Sequence, residues 1–266
     1  MLETIFTPSL FISFAFFLFI IIGENLYKRS FNNQESPADQ STNIKRIFKN
    51  VGFGCTYRLI FIPFVIAPIT HHISVTNHLF LYENNNSLIH FFISFLLFDF
   101  MNYFTHFLSH RVKFLWKFHV VHHLDKKIDS STGFRQHFGE KIFILPFKII
   151  VILLFSMTQE EVFLIELISF CNGLLHHSTL RWNKKLEAFL CNFLALPAFH
   201  VVHHCNKVPY MHSNYGFIFS FWDRIFKTVS VNSIYKIENP TFGIGKCKDG
   251  SFFGLLFKPF YSKLPY

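Results

Sequence analysis

The pentapeptide H-V-V-H-H occurs twice in this chain, as His119, His122 and His123 and again as His200, His203 and His204. A further pair, His106 and His110, precedes the first copy with the spacing H-x-x-x-H. Spacings of three and four residues stack side chains on one face of a helix, and imidazole is the commonest metal-binding side chain. Histidine is 16 of 266 residues. At that frequency one H-x-x-H-H is expected by chance about 0.06 times per chain, and two arise in roughly one chain in several hundred. Alone, an H-x-x-x-H is more often a pair of ordinary polar residues. Eight histidines in three clusters exceed the four ligands of one tetrahedral zinc, and they predict two metal ions held almost wholly by nitrogen.

Convergence of the three clusters constrains the fold. At about 100° per residue, His106 and His110 share one helical face, and so do His119, His122 and His123. His110 and His119 are nine residues apart, which puts the two groups on opposite faces of any continuous helix. A break is therefore predicted around Arg111–Phe114, with a second helix carrying the middle cluster. The last cluster follows Pro197, a residue tolerated in a first helical turn, and is predicted to open a helix of its own.

The rest of the chain is apolar: 51% hydrophobic, with 40 phenylalanines and 15% charged residues. Such a composition belongs to membrane proteins. Five apolar stretches run from about Pro8 to Gly23, Val51 to Ile69, Leu88 to Phe107, Ile142 to Met157 and Val162 to Leu175. A span needs roughly 20 apolar residues, so the first, fourth and fifth are short, and the last two read as a hairpin that does not fully cross. Nothing before Lys28 is basic, so the first stretch reads as a retained helix rather than a signal peptide. Residues 30–43 and Asn84–Asn86 read as polar loops.

Net charge is +9, yet no basic-aromatic module accompanies it, and a nucleic-acid partner is not expected. The positions of Lys and Arg explain the excess. Segments 24–50, 106–141 and 176–266 hold five, seven and eleven of them, whereas 70–87 and 158–161 hold none. By the positive-inside rule the N-terminus faces outward and all three clusters face the cytoplasm. Only Arg58 and Lys148 fall inside apolar stretches. The expected architecture is all-α: an integral membrane bundle of four to five membrane helices under a cytoplasmic, histidine-rich di-metal cap. Residues 1–87 form N-terminal membrane helices and a linker, 88–230 the catalytic region, and 231–266 a cytoplasmic tail against the core or the membrane surface. The five cysteines show no C-x-x-C spacing and read as packing residues.

The run Asp99-Phe-x-x-Tyr103-x-x-His106-x-x-x-His110, then Leu115-Trp116-x-x-His119-x-x-His122-His123, resembles the fatty acid hydroxylase and sterol desaturase superfamily. So does Pro197-x-x-His200-x-x-His203-His204, followed by Asn214-Tyr215-Gly216 and Trp222-Asp223-Arg224. The resemblance covers about Asp99 to Thr228. It implies a membrane oxygenase with a histidine-bound di-iron centre on the cytoplasmic side, with O2 as co-substrate, attacking an unactivated C–H bond of a lipid. By position the eight box histidines become iron ligands. His177 is similar to the family's lone histidine between the later boxes, and His137 to another family position. His176, next to His177, is left as an alternative to it. Two departures stand out: Phe107 where arginine often follows the first histidine, and Cys205 where serine is common.

Nitrogen ligands suit iron, zinc, copper and nickel alike, but oxidising a C–H bond needs a redox metal, so zinc is expected only as a substitute in purified protein. Asp99, seven residues before His106 on the same face, is the candidate to orient a ligand imidazole; capping or pairing with Arg111 is its structural alternative. His212 is a candidate neighbour of the site, and His71, His72, His78 and His90 read as ordinary polar residues. Three other functions compete. A zinc hydrolase needs a carboxylate within a box, as in H-E-x-x-H, and none is present. A haem carrier needs histidines paired in mid-membrane, and a metal transporter needs acidic residues along a membrane path. No dinucleotide fingerprint or haem-attachment motif is found, so electrons are expected from an external reductase on the cytoplasmic face. Hydroxylation ranks above desaturation; sterol, fatty acyl and related lipids remain undivided.

Overall fold

Three of the five apolar stretches lie wholly within helices longer than themselves. The computed structural model describes residues 2–30, 37–59, 64, 67–76, 87–208, 210–231, 233–245, 247 and 249–261. In chain order the helices are α1 (Leu2–Ser30), α2 (Pro37–Cys55), α3 (Ala67–Thr76), α4 (Ser87–Arg111), α5 (Lys113–His123), α6 (Phe138–Leu154), α7 (Gln159–His177), α8 (Lys184–Leu190), α9 (Pro197–His203), α10 (Phe221–Ile225) and α11 (Phe252–Tyr261). A 3₁₀ turn, Ser130–Phe134, links α5 to α6. Among the described residues the only β structure is two isolated bridges, so the fold is all-α.

Two sequence readings need correction. Residues 37–43, read as loop, begin α2: Pro37 supplies the preset φ of a first turn, and the polar residues after it lie on an amphipathic helix. The second apolar stretch is not one described helix; its start belongs to α2, its end to α3, and 60–63 and 65–66 lie outside the described residues. Asn84–Asn86 and His78 also lie outside them.

The Thr158–Glu161 turn is a reciprocal cap. The Thr158 hydroxyl accepts from the Glu161 amide, and the Glu161 carboxylate accepts from the Thr158 amide at 2.9 Å, which starts α7 sharply. The hairpin this turn makes is splayed. Both α6 and α7 pack on α3 and α4, around Phe98, Ile152, Met157 and Ile165, and a cavity separates them. The tail docks through α11, whose Leu255 is fully buried against Phe53 of α2 and Trp116 of α5.

One described helix, Leu88–Arg111, is long and apolar enough to cross a membrane. Only 28% of its apolar window is buried inside the structure, whereas the core helix of a soluble protein is mostly buried. Phe11, Phe14 and Phe19 on α1, Leu88 and Phe92 on α4, Ile142 and Ile150 on α6 and Leu164 on α7 are likewise exposed. Exposed apolar surface of that extent is unfavourable in water and suited to lipid.

Candidate metal centre

The helix that carries His106 and His110 stops where convergence demands. Val112 adopts extended backbone (φ −102°, ψ 113°) between α4 and α5, and the chain turns back so that His119, His122 and His123 face the end of α4. Pro197 occupies the first turn of α9 and delivers His200, His203 and His204 from another side. The C-terminal turn of α7 brings His177. The result is two buried groups. His106, His110, His119, His123 and His203 form one, and His122, His177, His200 and His204 form the other; within each, one ring nitrogen per residue lies within 4.8 Å of all the others.

Proton positions show what these groups suit. His106 Nδ1–H donates to the Tyr215 carbonyl at 2.8 Å, and His203 Nδ1–H to the Ser213 carbonyl at 2.8 Å. His119 Nδ1–H donates to Glu140 Oε1 at 2.8 Å, and His177 Nδ1–H to the Gly173 carbonyl at 2.5 Å. Each of these rings therefore turns an unprotonated Nε2 inward. The Nε2 atoms of His106 and His203 stand 3.0 Å apart, and that of His123 is 3.1 Å from both His203 and His119. In the second group, His177 Nε2 lies 3.0 Å from His122 and His200 and 3.1 Å from His204. Two lone pairs facing at 3.0 Å repel unless a cation lies between them. With metal–nitrogen bonds of about 2.1 Å, ligands at about 90–100° to one another stand about 3.0–3.2 Å apart, which matches the observed spacing. Burial first, and then the neighbouring imidazoles, hold His122, His123, His200, His203 and His204 well below the ordinary histidine range. They are neutral, the form that binds metal.

Two residues singled out in the sequence sit elsewhere. His137 caps α6: its Nδ1 accepts from the Gly139 amide at 2.9 Å and its Nε2–H donates to the Leu256 carbonyl at 2.8 Å, so neither nitrogen has a lone pair for metal. Asp99 hydrogen-bonds to no imidazole among the described residues. It accepts from the Ile218 and Phe219 amides and from Trp222 Nε1–H at 2.9–3.1 Å, while Asp223 accepts from the Tyr215 and Gly216 amides. Together they pin the 214–223 loop whose Tyr215 carbonyl orients His106, so Asp99 acts one link further from the site than its helical position implied.

Among the described residues, the carboxylate that does meet a histidine of the two groups is Glu140, also approached by the Ser109 hydroxyl at 3.3 Å. Sequence reasoning missed it because it lies 21 residues from His119, outside every box. Its one signal was an acidic residue in the first turn of an apolar helix. His176 stays out of both groups, stacked on His200 with centroids 3.8 Å apart. His212 comes within 3.4 Å of His110, nitrogen to nitrogen. His71 meets Gln159, and His90 meets Glu161 and the Phe155 carbonyl, away from both groups. Cys205 is a buried free thiol directed at the Val201 carbonyl.

A cavity of about 170 Å³ ends on the centre, where His106, His119, His122, His177 and His200 reach its wall. Its sides, from α6 and α7, include Ile144, Val162, Phe163, Leu167 and Phe170. Gly133 sets its floor against α7. A Cβ there would lie 2.8 Å from the Gly173 oxygen, the same carbonyl that orients His177. Gly133→Ala is therefore expected to cost about 1–3 kcal/mol by overpacking. It should also lower metal retention in the His122 group, read as a lower Tm in the holoprotein and as metal lost on dialysis.

An all-helical chain that gathers nine buried histidines into two adjoining groups beside an apolar cavity belongs to the class of helical histidine-cluster proteins able to hold metal. More narrowly, the chain belongs to the fatty acid hydroxylase family, which residues 91–228, over half of it, match. It is similar to the alkylglycerol monooxygenase of Xenopus tropicalis, at 29% identity over 147 residues, 51% of this chain and 29% of that relative. The match thus spans under a third of the relative's length. No solved structure matches the chain.

Proposed function

We propose that the protein is a membrane-bound, O2-dependent lipid hydroxylase. The observation that carries this reading is the pair of histidine groups with inward-facing Nε2 lone pairs at the end of an apolar cavity. His106, His110, His119, His123 and His203 would hold one iron, and His122, His177, His200 and His204 the second. Bound iron supplies O2 activation and removal of hydrogen from an unactivated C–H bond, chemistry that redox-silent zinc lacks. The chain's own residues do the rest. Glu140 and the Tyr215, Ser213 and Gly173 carbonyls fix the imidazole tautomers. The phenylalanine- and leucine-lined wall excludes water and accepts a lipid chain. Family membership supports the reading, and the relative's name, a monooxygenase of alkylglycerols, supports hydroxylation of a lipid rather than desaturation.

The membrane arrangement is part of the same proposal: four to five membrane helices, an outward N-terminus, and the histidine end facing the cytoplasm, where an external reductase supplies electrons. The exposed apolar faces of α1, α4, α6 and α7 and the charge distribution of the connections support it. The test is comparative lipidomics of cells with and without the gene, grown under 18O2. One lipid is expected to gain a single labelled oxygen only when the protein is present. No lipid gaining oxygen or losing two hydrogens, with iron-loaded protein confirmed in the membrane, overturns the oxygenase reading.

A further inference from the structure

Arg58 and Lys148 are the only basic residues inside apolar stretches, and Glu166 lies inside another. Charges in such segments are costly and ordinarily mark a ligand path or find a counter-charge. Here all three line the cavity that ends on the histidines, joined by Lys141 one residue beyond Glu140. Lys141, Ile144 and Lys148 follow one another at three- and four-residue spacing, a stripe along one face of α6.

The charges do not cancel. Lys148 pairs with Glu166, and Glu140 accepts from His119 while its charge also acts on Lys141, its neighbour in the chain. Arg58 donates to the Ser13 hydroxyl at 3.0 Å and lies 3.3 Å from the centre of the Phe170 ring, with no carboxylate at ion-pair distance among the described residues. The Lys141 ammonium lies 5.6 Å from the Tyr57 ring and makes no hydrogen bond or ion pair among the described residues, with Glu140 and Glu166 acting on it only at longer range. Three cations against two carboxylates leave the apolar cavity one positive charge in excess, with neither Arg58 nor Lys141 in an ion pair among the described residues.

From this juxtaposition we infer that the cavity binds its lipid by an anionic head group, a carboxylate or phosphate held by Lys141 and Arg58, with the chain lying against Ile144, Val162, Phe163 and Leu167. The inference rests on the lipid-hydroxylase reading and narrows it, because a lipid with a neutral head would leave the excess positive charge uncompensated beside an apolar chain.

Equilibrium binding to the purified, metal-loaded full chain in nanodiscs tests it, with oleate, oleoyl lysophosphatidate, oleyl alcohol and methyl oleate as probes. At least one of the two anionic probes is expected to bind about tenfold or more tighter than both neutral ones, the size of a charge-assisted contact. Whichever is tighter names the head group. Lys141→Met should erase that preference with less than a twofold change for oleyl alcohol, Lys141→Arg should restore it, and metal content should stay the same in both. Arg58→Gln gives an independent reading should Lys141→Met fail to fold. Equal binding of anionic and neutral probes, or a preference that survives both substitutions, overturns the head-group assignment and leaves the lipid cavity standing. Failure of all four probes to bind overturns both.

Discussion

On the proposed two-metal centre, His203→Ala is expected to leave the protein in the membrane with about one metal ion where the unsubstituted chain is expected to retain two, and to lower product formation at least about a hundredfold. His203 sits at the middle of its group, its Nε2 3.0 Å from that of His106 and 3.1 Å from that of His123, while its Nδ1–H is held by the Ser213 carbonyl. Removing it deletes a ligand and leaves its neighbours splayed around a gap. Catalytic groups that act as a unit lose function together rather than in proportion. Membrane insertion should not change, since the helices insert through apolar faces and satisfy their backbone polar groups internally. Elemental analysis of membrane-purified protein, beside the lipid assay, checks both halves. Two metals per chain together with undiminished turnover in His203→Ala removes that histidine from the centre.

The second large effect is expected at a residue that belongs to no histidine box. Glu140 accepts the Nδ1 proton of His119, which fixes the ring's tautomer and leaves Nε2 as the donor to metal. Partners of this kind govern metal affinity or activity by about 10–100-fold when removed. Glu140→Ala should reach the upper end of that range. Glu140→Gln, whose amide oxygen can still accept the proton but carries no charge, should fall near the lower end. Competition with a graded chelator series reads the affinity. Wild-type affinity in both variants would show that the carboxylate serves only packing at the start of α6.

The outcome for Asp99 and Glu140 shows where linear reasoning reaches its limit. Asp99 shares a helical face with His106, and that periodicity made it the candidate partner for an imidazole. Periodicity reports which way a side chain points from its own helix; it says nothing of what the rest of the chain brings to meet it. The 214–223 loop, more than a hundred residues later, presents two amides and an indole N–H to Asp99, and their combined pull takes its carboxylate. His137 followed the same logic in reverse. Its neighbour Gly139 and the distant Leu256 carbonyl consume both nitrogens, so a histidine at a familiar position became a helix cap.

Local arithmetic did determine much. The doubled box, the break between His110 and His119, the helix opened by Pro197 and the all-helical, apolar character of the chain follow from residue spacing, proline geometry and composition, all of which act within a few turns of helix. The break falls at Val112, inside the predicted window, where extended backbone separates α4 from α5. Tertiary structure alone decided how nine histidines divide between two groups, which of His176 and His177 turns inward, and which carboxylate and carbonyls hold the tautomers. It also opened the cavity between α6 and α7, which the sequence reading of a hairpin that does not fully cross did not foresee. Those choices depend on contacts between segments 20 to 120 residues apart, such as Glu140 with His119 and Asp99 with Phe219. Hydrogen-bond donors and acceptors pair by position in space, and spacing along the chain carries no record of that position.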